Sequence, residues 1–333
     1  MINSKTLLND RYQLEEKLSE FSNRQTWRAT DLKAEQEIYR QVIIKILIFS
    51  PQMNWEQLKL FEREALVLKN INHPKIPKYL DSFYRESSLD LEFPSLILVQ
   101  ELICGLSLKA ILDKNKGFST KEVKQYAKQL LNILIYLHEL SPPILHRDIK
   151  PSNVILGDDQ TIYLVDFGAV QDKAKAEGAT FTVVGSSGYT PPEQLWGKAI
   201  PASDLYALGA TLIHLLTGKS PAELPQRKMQ IDFHSKVHGR DPEFIRWLER
   251  LVNPATERRF STAQEALTAL QESQNILTPK LKLTEKVSPN YIFLCLVFLV
   301  GFVLPIYLVI NLLDSLQNPS KNRNTPPNIE RNW

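Results

Sequence analysis

The stretch from Ile144 to Gly168, ILHRDIKPSNVILGDDQTIYLVDFG, constrains this chain more than any other. It carries Asp148 in His146-Arg147-Asp148, then Lys150, then Asn153, and after an apolar, β-rich run it reaches Asp166-Phe167-Gly168. Moving a phosphoryl group from a nucleotide to a hydroxyl needs few parts: a group to accept the hydroxyl proton, a cation near the γ-phosphate, and oxygen ligands for magnesium. Asp148, Lys150, Asn153 and Asp166 can supply them in that order.

This stretch resembles the catalytic loop and DFG segment of protein kinases, and its spacing fits that family. Other motifs carry the resemblance further. Val42-Ile43-Ile44-Lys45 looks like the family's VAIK strand, and Gly185-Ser186-Ser187-Gly188-Tyr189 like its GTxGY substrate loop, with Ser186 in place of Thr. Pro191-Pro192-Glu193 resembles APE. The resemblance covers residues 12 to 274 and implies an α+β, two-lobed kinase fold: a small β-rich lobe with one helix over about 12–102, and a larger helical lobe over about 103–274. Lys150 within DIKPSN and the Gly185-to-Tyr189 loop place it nearer the Ser/Thr branch than the tyrosine branch, among bacterial, eukaryotic-like (Hanks-type) kinases.

The roles that the resemblance implies are specific. Lys45 contacts the α- and β-phosphates of ATP, and Glu64 is its partner. On its own Glu64 would be an ordinary exposed helix carboxylate, and Glu62 lies on another side of the helix; Lys45, in the middle of a β-branched apolar run, does not suit a solvated surface charge, the alternative being an edge-strand lysine that snorkels. Leu18 and Thr26 flank the nucleotide, and backbone groups of Glu101 to Ile103 meet the adenine edge. Asn153 and Asp166 hold magnesium, or manganese. Asp148 is the base, and Ser186 bonds Asp148 and Lys150. Glu193 pairs with Arg259, with Arg258 close enough to compete. Thr180 and Thr182 are candidate phosphorylation sites, or simply loop threonines, with Arg147 poised to pair with such a phosphate.

One motif departs from the pattern. The phosphate-cradling loop should read GxGxxGxV, because missing side chains let backbone N–H groups approach the phosphates. Here the three glycine positions hold Ser19, Phe21 and Arg24. Phe21 would fold inward or cover the nucleotide; Arg24 would contact a phosphate or lie in solvent. The loss points to weakened ATP binding or a slow enzyme rather than a dead site. It also keeps open a membrane-tethered pseudokinase that binds nucleotide or a partner without transfer. A small-molecule kinase of the same fold is a third reading, opposed by the well-formed segment from Gly185 to Glu193.

Hydrophobic spacing places helices over Trp55–Asn70, Thr120–Leu140, Asp204–Gly218, Glu243–Leu251 and Thr262–Leu270, and strands over Arg11–Leu18, Thr26–Ala29, Tyr39–Phe49 and Leu96–Leu102. Ser119 or Thr120, with Glu122, caps the second helix. Forty basic against 37 acidic residues leave a net charge of +3, which does not suit a nucleic-acid binder. Two cysteines, Cys104 and Cys295, cannot frame a disulfide scaffold or a zinc site.

The polar N-terminal residues lack a signal-peptide apolar segment. Tyr291 to Leu313 contains no charge, and as a helix it would reach roughly 34 Å, enough for a hydrocarbon core of about 30 Å. The expectation is therefore a juxtamembrane linker over 275–290, a transmembrane helix over 291–313 and a short polar tail over 314–333. ATP supply would put the kinase domain on the cytoplasmic side of the plasma membrane, with protein Ser/Thr hydroxyls as acceptors. Nothing in the residues speaks for dimerisation.

Overall fold

Lys45 lies in a strand that is covered on both faces, and the small lobe is built outward from it. The computed structural model describes residues 3–277 except 22, 52, 54, 88–92, 115–116, 170 and 173–185. The expected transmembrane helix, the tail, Thr180 and Thr182 lie outside the described residues. Among the described residues no helix is long and apolar enough to cross a membrane.

The chain opens with β1 (Leu7–Leu8), β2 (Tyr12–Phe21), β3 (Arg24–Asp31) and β4 (Gln41–Ile48), continues through helix α1 (Trp55–Asn70), and completes the sheet with β5 (Tyr79–Arg85) and β6 (Ser95–Glu101). Spatial order is β1-β2-β3-β4-β6-β5, all antiparallel. Side chains alternate across a strand. Val42, Ile44 and Ile46 therefore join Leu14, Trp27, Ala29, Ile97 and Val99 in one core, while Leu47 joins Phe61 and Leu68 in the other. Lys45 shares the second face.

In the small lobe two differences from expectation stand out. The strand through Lys45 begins at Gln41, because Glu37–Tyr39 makes one 3₁₀ turn closed by the Arg40 N–H on the Glu37 carbonyl at 3.0 Å. The first hairpin is longer: Ser19 pairs with Thr26, Glu20 with Gln25 and Phe21 with Arg24. Without glycine there to favour a looser turn, the ladder runs almost to the tip.

The helical lobe follows with β7 (Gly105–Ser107), α2 (Leu108–Lys114), α3 (Thr120–Glu139), β8 (Ile144–Leu145), β9 (Val154–Gly157), β10 (Ile162–Leu164) and β11 (Gln171–Asp172). It closes with α4 (Pro192–Leu195), α5 (Pro201–Thr217), β12 (Gln226–Arg227), β13 (Gln230–Ile231), α6 (Pro242–Leu251) and α7 (Ala263–Leu277). Ser119 caps α3 in a reciprocal box. Its hydroxyl accepts the Glu122 N–H at 3.3 Å, and the Glu122 carboxylate accepts the Ser119 N–H at 2.8 Å. Helix α7 runs past the expected Leu270, as no breaker occurs before Pro279.

Helix α5 is buried from Ala202 to Leu216, as suits a helix apolar on nearly every side. Gly209 allows the closest approach. A Cβ there would sit 2.7 Å from Leu251 Cβ and 2.8 Å from Val252 Cγ1, so neither neighbour can swing aside cheaply. Gly209→Ala is expected to destabilise the domain by about 1–3 kcal/mol through overpacking. Denaturant unfolding of the variant beside the parent measures this, and equal midpoints would mean that α5 and α6 separate without cost.

Candidate active site

Two distant segments converge on Lys45. Its ammonium donates to Glu64 Oε1 on α1 and to Asp166 Oδ1 at 2.6 Å, in the turn after β10. Glu64 is fully buried, whereas Glu62, two residues earlier and on another side of the helix, is exposed, so the buried partner is Glu64. Burial alone would lower the Lys45 pKa, but the charges of Asp166 and Glu64 outweigh it and raise the pKa above the ordinary lysine value. The Lys45 charge in turn holds the Asp166 carboxyl well below the usual carboxylate range.

Glu64 takes a second cation. Arg24 Nη2 donates to its other oxygen at 2.9 Å, and the guanidinium lies 5.5 Å from the centre of the Phe61 ring. Neither placement considered from the sequence, phosphate contact or open solvent, anticipated this ion pair. Phe21 does not fold inward. It is 80% exposed at the rim of the cleft.

The loop after β8 forms a second cluster. Asp148 accepts from Ser186 Oγ at 2.8 Å, Lys150 Nζ at 2.7 Å and Asn153 Nδ2 at 3.0 Å. Lys150 also donates to Ser186 Oγ at 2.7 Å, so this serine does bond both residues. The loop is tied down from below by Asp204 on α5, which is fully buried. Its carboxylate accepts the N–H groups of His146 and Arg147 at 2.9 and 2.8 Å and meets His138 Nε2 at 2.9 Å. His138 had no signal beyond its place at the end of α3; only the fold reveals its partner. Gln194 was likewise missed, and its amide donates to the Arg147 carbonyl at 2.7 Å.

Between the lobes lies a cleft of about 670 Å³. Leu18, Thr26, Lys45, Glu101, Ile103, Asn153 and Asp166 line it, as do Ser19, Phe21, Arg24 and Gln100. Gly105 lets the connecting strand run close: its φ is +147°, and a Cβ would fall 2.3 Å from the Leu156 carbonyl oxygen. Asp148 and Lys150 are joined to the cleft through Asn153. Glu193 stands apart, in a buried pair with Arg259 at 2.6 and 2.9 Å, while Arg258 points to solvent.

An amide oxygen and a carboxylate on one cleft, Asn153 and Asp166, are hard ligands that fit magnesium. No group of three or more His, Cys, Asp or Glu that could hold a metal occurs among the described residues. A metal here would complete its shell with phosphate oxygens and water, as magnesium commonly does.

A small antiparallel sheet above a helical lobe, with charged clusters from both facing one cleft, defines the class of two-lobed, kinase-fold proteins. Residues 31–272 match the protein kinase domain, and the chain belongs to that family. The match begins at the last residue of β3, so the hairpin with Ser19, Phe21 and Arg24 falls outside it. Similar curated proteins include serine/threonine-protein kinase B of Synechocystis sp., 37% identical over 64% of this chain and 38% of that protein. Serine/threonine-protein kinase F of the same organism is 34% identical over 69% and 49%. Serine/threonine-protein kinase PknA of Nostoc sp. is 32% identical over 80% and 48%. The chain matches about half or less of the length of these relatives.

Burial lowers the pKa of His146, His214 and the partly buried His73. The unfolded chain therefore binds protons at these positions before the folded one does, and stability falls as pH drops through about 6.5 toward the folded values. Asp166, Asp204 and Glu193 are also lowered, so their contribution is present above about pH 4 and is lost below it. Thermal unfolding between pH 7.5 and 3 should show melting temperature declining in both windows. A flat profile from pH 7.5 to 5.5 would contradict the burial of neutral histidines.

Proposed function

We propose that this chain is an ATP- and magnesium-dependent protein kinase that phosphorylates Ser/Thr hydroxyls. The observation that carries the reading is the complete polar set at one cleft: Lys45 with Glu64 and Asp166, and Asp148 with Lys150, Asn153 and Ser186. The similarity to serine/threonine-protein kinases B, F and PknA supports the Ser/Thr class. A nucleotide-binding scaffold has no need of Asp148 and Lys150 in this arrangement, which disfavours the pseudokinase.

In this mechanism Asp148 orients the acceptor hydroxyl and takes its proton. The hydroxyl oxygen forms a bond to the γ-phosphorus as the bond to the β,γ-bridging oxygen breaks, and ADP leaves. Lys150 neutralises charge on the group in transit, and Lys45 positions the α- and β-phosphates. Asn153 and Asp166 would hold magnesium, which when bound would supply neutralisation of phosphate charge. Ser186 holds Asp148 and Lys150 in register until substrate arrives.

Asp148→Asn keeps the shape but removes the proton acceptor, so transfer from labelled ATP to a generic protein should fall by about a hundredfold or more. Parent-level transfer by this variant would remove the assignment of the base.

A single membrane anchor over Tyr291–Leu313, with the kinase domain in the cytoplasm and a part in signalling, completes the proposal. The uncharged length of that segment supports it. The full chain should stay with membranes through alkaline carbonate extraction, and a chain lacking 291–313 should be released. Equal release of both would remove the anchor.

A further inference from the structure

Arg24 stands where the family's phosphate loop has its third glycine, yet its side chain is neither solvated nor idle. Only 29% of it is exposed. Its guanidinium bonds Glu64 at 2.9 Å, faces the Phe61 ring and lies so close over the DFG turn that a Cβ on Gly168 would come within 3.2 Å of both terminal nitrogens. It also lines the cleft beside Lys45 and Asp166.

We propose that Arg24 is a positioning cation at the phosphate end of the cleft, holding Glu64 so that Lys45 is available to the nucleotide, and that it compensates for the missing glycines. The inference rests on the ATP reading above. Glu64 is fully buried and needs a cation at all times, since an unpaired buried carboxylate is strongly disfavoured. Lys45 alone would be claimed by Glu64 and Asp166 and asked to serve the phosphates as well. With Arg24 on the second oxygen, Glu64 remains neutralised when Lys45 turns toward a phosphate. The same contact ties the β2–β3 hairpin to α1 and to the segment carrying Asp166. It thereby fixes the three walls around the phosphates that a glycine loop would otherwise drape over.

The test uses the full chain and its Arg24→Ala and Arg24→Lys variants, each titrated with Mg-ATP and with adenosine and assayed for kcat and KM. Arg24→Ala should weaken Mg-ATP by about tenfold and raise KM, while adenosine, which has no phosphate, binds as before. Arg24→Lys should recover most of the loss, because the charge is kept. Thermal unfolding of each variant reports any general loss of structure. Equal weakening of Mg-ATP and adenosine, or none for either, would leave Arg24 as a structural tie and overturn the proposal. A parent chain that binds Mg-ATP no better than adenosine would overturn the ATP reading itself, and this inference with it.

Discussion

The structure depends on one buried carboxylate. Glu64 comes from a helix that packs under the sheet, and its two oxygens are shared by Lys45 from β4 and Arg24 from β3. Lys45 then reaches across to Asp166, so a single connected group of two cations and two carboxylates joins both lobes. Their formal charges cancel. Removing one member of a buried pair commonly costs about 3–5 kcal/mol because the other is left uncompensated. For Glu64, with no exposure to water, that cost cannot be escaped by hydration. The position of α1 is therefore set by electrostatics as well as by Phe61 and Leu68 in the core.

The catalytic loop has the opposite problem. Its backbone, like that of the turn after β10, must adopt conformations that its residues disfavour: Arg147 in the loop has φ of +67° and Asp166 in the turn +66°. Such non-glycine residues cost on the order of 1–3 kcal/mol each and persist only where their surroundings insist. At Arg147 the surroundings are Asp204, which takes the two N–H groups of His146 and Arg147, and Gln194, which donates to the Arg147 carbonyl. At Asp166 it is the ammonium of Lys45. The helical core beneath thus acts as the jig on which Asp148 is set. Thr211 adds to it by donating to the Ile149 carbonyl at 3.1 Å.

What the residues announced in advance was chemistry with local spacing. Asp148, Asn153 and Asp166 around a short β-rich run could be found from neighbours in the chain, whereas Lys45 and Glu64 took their roles from the resemblance to the kinase family. Helix extents were legible for the same reason, since α1 and α3 carry their own apolar periodicity and Ser119 its own cap. Contacts across long separations were not. Nothing near Asp204 in the chain indicates His138, and nothing near Arg24 indicates Glu64, because folding alone brings them together. The choice between Arg258 and Arg259 was equally invisible; burial decides it, as Arg259 is enclosed while Arg258 is not.

The hairpin shows why losing three glycines need not empty the cleft. In a paired strand, N–H groups lie in the plane of the sheet and point alternately to its two sides, so neighbouring ones diverge. Since Ser19, Glu20 and Phe21 pair with Thr26, Gln25 and Arg24, this stretch is held as an extended ladder rather than as a loop whose successive N–H groups converge on a phosphate. Any compensation has to come from side chains on the cleft-facing surface. Of the three substituted positions, Ser19 offers a short hydroxyl and Phe21 an exposed ring, while Arg24 places a permanent charge beside Glu64 and the DFG turn. A rigid strand with a cation at its end exchanges a mobile backbone cover for fixed electrostatics. Preorganised charge of that kind needs no rearrangement when an anion arrives: in the proposed role Arg24 keeps Glu64 neutralised while Lys45 turns to the phosphates, with no loop required to close.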